Sequence, residues 1–323
     1  MPMIKRLKKE FKLLKELSKS DDKIYVHPID IASSAPNEYL AMIVGPSDTP
    51  YEGGFFYFHL ILPDSFPMEP PKIKYLTQGN KVRFNPNLYV NGKVCLSVIG
   101  TWAGPGWSPA NTIVSVLQII QGLVLNETPL INEPGFETAP KYKLNNYNEI
   151  IRFETYRTAL LGQINFVPFT SNQIVDNYFT SVARQCFLTD INTYYAKMIK
   201  LSQLHDGKTY SIAYQNQTVK PNYSSLINIL IKQKEIMETT YPTMDFSHVD
   251  FSHDTFSPQS TPFMKGVSVL PPGIQPNLYV LKKKKLAMLQ HNALQLGIQI
   301  KKQGVKGPIN KTKAELISEI LDF

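Results

Sequence analysis

Apolar residues at helical spacing open the chain. Ile4, Leu7, Phe11 and Leu14 share one side of residues 3–19, with Lys5, Arg6, Lys8, Lys9 and Lys12 opposite them. Steps of three and four residues predict an amphipathic helix there. From Tyr39 to Leu76 the pattern changes to short apolar runs cut by Gly and Pro, which predicts strands over 39–44, 55–62 and 73–76. The middle run is apolar everywhere except His59, as expected of a strand buried on both faces. His59 itself reads as a core histidine with its hydrogen bond satisfied. Helical spacing returns over 110–125, with Ile113, Val116, Leu117, Ile120 and Val124 inward and Ser108-Pro109 as cap and first turn. Further helices are expected over 148–162 and 174–204. The fold class is α+β: an antiparallel meander covered by helices.

Beyond these elements the character of the chain changes. Residues 238–277 are rich in Pro, Ser, Thr and Phe, and carry the small repeat Asp245-Phe246-Ser247-His248, Asp250-Phe251-Ser252-His253. No rigid element presents its two Asp-x-x-His pairs, so a flexible linker is expected rather than a metal site. Residues 278–323 read as a small helix–loop–helix. Lys282, Lys283, Lys284 and Lys285 open a first helix with Leu286, Leu289, Leu294 and Leu296, and Gly297 ends it. A loop with Gly304 and Gly307-Pro308 follows, then a second helix from Thr312 with Lys313, Leu316, Ile317, Ile320 and Leu321.

Charge sharpens this division. The chain of 323 residues has a formal charge of +8, yet Lys265 to Phe323 alone holds ten lysines against three acidic groups, a net +7. Basicity therefore belongs to the tail, where lysines would neutralise phosphates without reading sequence. No window reaches the length of a membrane span, and the lysine-studded first residues do not read as a signal peptide. Cys95 and Cys186 are the only cysteines, which excludes a disulfide framework and a cysteine-rich zinc site. Cys186, among Val182, Phe187 and Ile191, reads as a buried structural thiol. A working thiol that must stay free suits the reducing cytosol or nucleus.

Candidate chemistry gathers between Asn85 and Ala110. Cys95 follows an Asn91-Gly92 turn on an extended segment, eight residues past Asn87, which a Pro-fixed backbone holds at Asn85-Pro86-Asn87. A thiol and a carboxamide so placed suit acyl transfer, one as nucleophile and the other as donor to an oxyanion. No His lies nearby in sequence to activate the thiol. Thiol-for-thiol exchange from a thioester needs none.

These residues resemble the ubiquitin-conjugating enzymes. The family's His-Pro-Asn motif stands here as Asn85-Pro86-Asn87, with the reactive cysteine at Cys95. Matching continues through Gly45-Pro46, Thr49-Pro50-Tyr51-Glu52-Gly53-Gly54, Leu62-Pro63, Phe66-Pro67, Pro70-Pro71-Lys72 and Trp107-Ser108-Pro109. Asn in place of His, the loop Gly100 to Gly106 and the run Asn132 to Glu137 are similar to the enlarged branch usually called ubiquitin-conjugating enzyme Z.

The resemblance covers roughly residues 1–237 and implies a four-stranded UBC fold. Together with the change of composition beyond it, the resemblance divides the chain into a catalytic core 1–150, a helical extension 151–237, the linker 238–277 and the tail 278–323. It also implies that Cys95 carries ubiquitin or a ubiquitin-like modifier as a thioester. Asn87 would stabilise the oxyanion, Asn85 would brace the loop, and Glu133 would be an acidic gate that orients or deprotonates an incoming lysine. Lys5, Arg6 and Lys9 match positions that meet the activating enzyme and the ligase, and Met68, Pro109 and Ala110 match an apolar ligase patch. No metal or organic cofactor is implied, since ATP is used by the activating enzyme. The tail is similar to a SAP-type DNA-binding motif. The alternative is a non-catalytic scaffold of the same fold, but inactive variants of the family lack the cysteine that is present here.

Overall fold

The computed structural model describes residues 2–77, 82–164, 170, 172–240, 301–304, 307–310 and 312. Helix α1 (Pro2–Ser20) leads into one antiparallel sheet in the order β1 (Ile24–Pro28), β2 (Glu38–Val44), β3 (Phe55–Ile61) and β4 (Lys72–Tyr75). Ala41 of β2 lies opposite Val26 on one side and Phe58 on the other, so the meander is in continuous register. The four strands are those the resemblance implies, but the hydrophobic pattern gives no range for β1. Its alternation, with Ile24 and Val26 buried, is too short to stand out between the Asp21-Asp22 turn and Pro28.

Helix α1 buries Leu7, Leu14 and Leu17, whereas Ile4, expected on the same inward face, is 54% exposed. It lies in the first turn, ahead of the first buried leucine. The same buried face carries Glu10, three residues past Leu7 and four before Leu14, and its side chain is fully buried.

The continuous apolar run of β3 has a simple cause. Neighbouring side chains leave a strand on opposite faces, and here both faces are covered. Phe56 meets Phe84 edge to face at 5.6 Å, while Tyr57 meets Phe179 of the helical extension at 5.8 Å. Burying each such ring contributes roughly 1.5–3 kcal/mol. His59 places Nε2 2.6 Å from Glu38 Oε1, the satisfied hydrogen bond expected of it. Gly53 turns at φ +76°, where an added Cβ would sit 2.5 Å from the Tyr194 ring. The extension therefore packs directly on the loop between β2 and β3.

Helix α2 (Ile113–Ile119) continues as a π-helical turn over Ile120–Val124. It starts later than expected. Thr112 and Ser115 form a reciprocal capping box, while Ser108-Pro109 sits in a preceding turn closed by the Asn111 N–H on the Ser108 carbonyl. Helix α3 (Lys141–Glu154) runs through a π-helical stretch, Thr155–Leu161, into α4 (Gly162–Ile164), and α5 (Gln173–His205) follows. A hairpin of β5 (Tyr210–Ile212) and β6 (Gln217–Val219), not foreseen from sequence, leads to α6 (Tyr223–Thr240). Among the described residues no helix is long and apolar enough to cross a membrane.

Strands β7 (Lys301–Gly304) and β8 (Gly307–Asn310) pair as a hairpin where a loop between two helices was expected. Gly304 and Gly307 are paired at the end of this ladder. The two predicted tail helices, with Lys282 to Lys285 and Lys313, lie outside the described residues. So does the expected linker beyond Thr240.

Candidate active site

Residues 85 to 95 fold back on themselves. Leu88 bridges Val94, Asn91 Oδ1 accepts the Lys93 N–H at 3.0 Å, and Gly92 takes φ +88° at the turn. Cys95 returns beside Asn87. Its N–H donates to the Asn87 carbonyl at 2.9 Å, and Asn87 Nδ2 donates back to the Cys95 carbonyl at 2.7 Å.

Asn85 lies beneath this pair, fully buried. Its Nδ2 donates to Tyr51 Oη at 2.9 Å and to the Val124 carbonyl at 2.7 Å, and its Oδ1 accepts the Asn87 N–H at 2.8 Å. Three elements are thus joined through one carboxamide. Tyr51 completes the chain by donating to the Phe84 carbonyl at 2.7 Å. Burial pushes its phenol well above the ordinary range, so it remains a neutral donor.

The thiol residue is covered as well as braced. Cys95 is 1% exposed. After it, the Leu96 N–H donates to Thr101 Oγ1 at 2.9 Å, and Thr101 Oγ1 donates to the Val94 carbonyl at 2.8 Å. Gly104, at φ +129°, brings the following loop so close that a Cβ there would lie 3.1 Å from Ser97 Cβ. Cys186 is half-buried on α5, with Sγ 3.6 Å from Tyr25 Oη, and burial pushes its thiol up.

Glu133 follows Asn132 in the turn beyond α2. Asn132 Nδ2 donates to Asn87 Oδ1 at 3.1 Å, so this turn is fastened to the site. The Glu133 carboxylate is held in turn: Oε2 accepts the Tyr214 O–H at 2.8 Å.

The other predicted group meets at the end of α1. Arg6 donates to Glu10 at 2.8 Å, to the Pro109 carbonyl at 2.7 Å and to the Asn111 carbonyl, and its guanidinium lies 5.3 Å from the Phe66 ring centre. Glu10 also accepts the Ile113 N–H at 2.9 Å, placing a carboxylate at the start of α2. Arg6 therefore fastens one segment to another rather than standing free, while Lys5 and Lys9 are exposed. Trp107 Nε1 donates to the Pro67 carbonyl at 2.7 Å, which ties the 107–110 segment to the loop bearing Met68. Met68 is 74% exposed, and Pro109 and Ala110 are exposed with it.

A four-stranded meander with a buried cysteine tied to an Asn-Pro-Asn turn defines a UBC-fold protein. Residues 6–152 match the family described as "Ubiquitin-conjugating enzyme". It is 57% identical over 126 residues to "Ubiquitin-conjugating enzyme E2 Z" of Danio rerio, a match covering 38% of each protein. It is also 57% identical over 122 residues to the Homo sapiens protein of that name, covering 37% of this chain and 34% of the relative. The chain thus spans well under half of the curated relatives it matches. Among solved structures, human ubiquitin-conjugating enzyme E2 G1 aligns at 30% identity and TM-score 0.30, covering 36% of this chain and 88% of the other.

Five residues of the site were not singled out from sequence. Tyr51 and Thr101 sit within or beside recognised motifs, and only their hydrogen bonds reveal a role. Asn132 and Tyr214 are separated from Asn87 and Glu133 by long stretches of chain. Glu10 lies at helical spacing from Leu7 and Leu14, on the inward face, but an acid in a lysine-rich helix reads as part of a solvated face.

Proposed function

We propose that Cys95 accepts the C-terminal acyl group of ubiquitin, or of a ubiquitin-like modifier, from an activating enzyme. The modifier is then yielded to a substrate lysine or a ligase cysteine. In loading, the Cys95 sulfur forms the new C–S bond and the activating enzyme's thiol leaves. In discharge, a neutral amine forms a C–N bond, the C–S bond breaks, and the nitrogen's proton ends on the departing sulfur. The reciprocal bonds between Cys95 and Asn87 carry this reading, since they hold a donor carboxamide against the reacting residue. Glu133 serves the incoming amine. Lys5, Arg6 and Lys9 meet the activating enzyme and ligase in turn, and Met68, Pro109 and Ala110 form the apolar part of the ligase surface.

The test is a charging reaction with purified activating enzyme, modifier and ATP. A thiol-labile adduct forms, Cys95→Ala abolishes it and Cys186→Ala leaves it intact. An adduct that persists in Cys95→Ala overturns the assignment.

We further propose that this chemistry takes place in the reducing cytosol or nucleus, and that the basic tail grips DNA through its phosphates. The charge of +7 after Met264 favours that second role, and the SAP-like spacing of 278–323 agrees with it.

A further inference from the structure

The helical extension reaches the turn that carries Glu133 through Tyr214. Tyr214 leaves the connection between β5 and β6, and its O–H donates to Glu133 Oε2 at 2.8 Å. The ring is seated in the same turn, edge to face with Phe136 at 5.6 Å, and rests against Tyr147 at 6.0 Å. The Arg83 guanidinium lies 5.6 Å from its centre. Burial and the hydrogen bond to the carboxylate both raise the Tyr214 phenol above its ordinary range, so it remains a donor.

The connection that delivers Tyr214 is strained. Gln215 and Asn216 follow it at φ +58° and +50°, and Gln215 has no ordinary reason to occupy the left-handed region. The hairpin is nonetheless anchored on both sides. Asn146 Nδ2 donates to the Ser211 carbonyl at 3.2 Å, and Gln217 Nε2 approaches the Arg83 carbonyl at 3.5 Å. Strain fixed by surrounding contacts is what places the phenol on Glu133.

The line of contacts then runs without a gap. Tyr214 holds Glu133; its neighbour Asn132 holds Asn87; Asn87 holds Cys95. One oxygen of the Glu133 carboxylate is engaged by Tyr214, which fixes the side chain and, among the described residues, leaves Oε1 as the open acceptor. We infer that Tyr214 is a positioning residue for transfer to lysine: it aims the Glu133 carboxylate at the amine that attacks the Cys95 thioester. This rests on the thioester reading and on Glu133 serving the amine. In the step itself the amine nitrogen forms the C–N bond and the C–S bond breaks. The proton shed by nitrogen passes by way of the carboxylate to the Cys95 sulfur. Transfer to a thiol needs no such acceptor, because a thiolate brings no proton to lose.

The experiment uses the full chain, charged on Cys95 and then chased with free lysine or with a small thiol. Tyr214→Phe keeps the ring contacts and removes only the donor. Its lysine discharge is expected to fall roughly three- to tenfold, with discharge to the thiol at the wild-type rate. Glu133→Ala slows lysine discharge more, and adding Tyr214→Phe to it changes nothing further, as expected of two residues acting through one group. Equal lysine rates in Tyr214→Phe and wild type, or additive losses in the double variant, overturn the role of Tyr214. So does an equal loss towards lysine and thiol, which marks a merely structural tyrosine. Failure of the wild-type chain to charge strikes the thioester reading instead. A Glu133→Ala variant with normal lysine discharge strikes the role of Glu133.

Discussion

Asn132 donates its carboxamide N–H to Asn87 Oδ1 at 3.1 Å, which settles which end of Asn87 faces the cysteine. With the oxygen end taken, Nδ2 is the end that reaches the Cys95 carbonyl, at 2.7 Å. The carboxamide is thus pre-aimed beside Cys95, and preorganised donors are the kind that stabilise a developing oxyanion.

Asn87→Ala is therefore expected to accept modifier but to release it to free lysine about 100-fold more slowly, near the ~2.7–4 kcal/mol cost of one oxyanion donor. Asn132→Ala leaves the donor present but unaimed, so its loss is smaller and in the same direction. Single-turnover discharge of pre-charged protein measures both. A normal rate in Asn87→Ala would reduce that residue to a loop support.

The buried junction of Glu10, Arg6 and Ile113 makes a separate prediction about stability. Glu10 is fully buried and accepts from both Arg6 and the start of α2. Glu10→Ala strands both donors and should lower stability by about 2–3 kcal/mol, read from the urea midpoint. Arg6→Ala should act through the same contacts, so the double variant loses less than the sum. Lys5→Ala and Lys9→Ala remove exposed charges and should stay within about 0.5 kcal/mol of wild type. If those two variants weaken binding of the activating enzyme at unchanged stability, docking and bracing on α1 are separate tasks.

This junction also shows where sequence reading stops. Asn85, Asn87 and Cys95 were legible because their spacing lies within one turn of chain, and local geometry follows from Pro86 and Asn91-Gly92. Glu10 was not, since its partner Ile113 is far along the chain; its spacing from Leu7 and Leu14 gives the inward face, but not what would satisfy a buried acid there. Ile4 failed for the opposite reason: helical spacing gives a face but not how far the covering surface reaches. The start of α2 was misplaced because Ser108-Pro109 is a good cap in isolation, whereas Thr112 has Ser115 to complete a reciprocal box. The β5–β6 hairpin and its Tyr214 lay beyond reach, their strands being short and their purpose being contact with a distant turn.

Glu154 gives a pH prediction. It is fully buried at the end of α3, paired with Arg157 at 2.6 Å and accepting from Thr158 at 3.0 Å. Burial raises its pKa above the ordinary 4.5 despite the lowering effect of Arg157. The folded state therefore binds more protons than the unfolded state in the window above 4.5, and stability falls as pH rises through it. Glu154→Gln removes this penalty, while the partly exposed Arg157 can turn to water. The variant should be the more stable protein at pH near 7, and its advantage should vanish as pH falls through 4.5. Urea midpoints across that range measure it; an advantage that grows at low pH would contradict the sign.

The last prediction concerns the tail and is independent of the thiol chemistry. Ten lysines against three acids after Met264 leave a net +7 in a stretch where the remainder of the chain is nearly neutral. If these lysines neutralise phosphates, the full chain should bind duplex DNA with affinity that falls linearly in log salt, by about 0.9 per phosphate contacted. Replacing Lys282, Lys283, Lys284 and Lys285 together with Ala should flatten that slope by roughly one unit for each lysine in contact. The loss should be alike for two unrelated sequences, because phosphate contacts position a protein without specifying a site. Charging of Cys95 should be unchanged in the same variant, since these lysines take no part in the thioester steps. Titrations between about 50 and 200 mM salt span the range in which such binding weakens steeply. A slope unaltered by the fourfold replacement would remove DNA as the partner of these lysines and leave the carrier assignment of Cys95 standing.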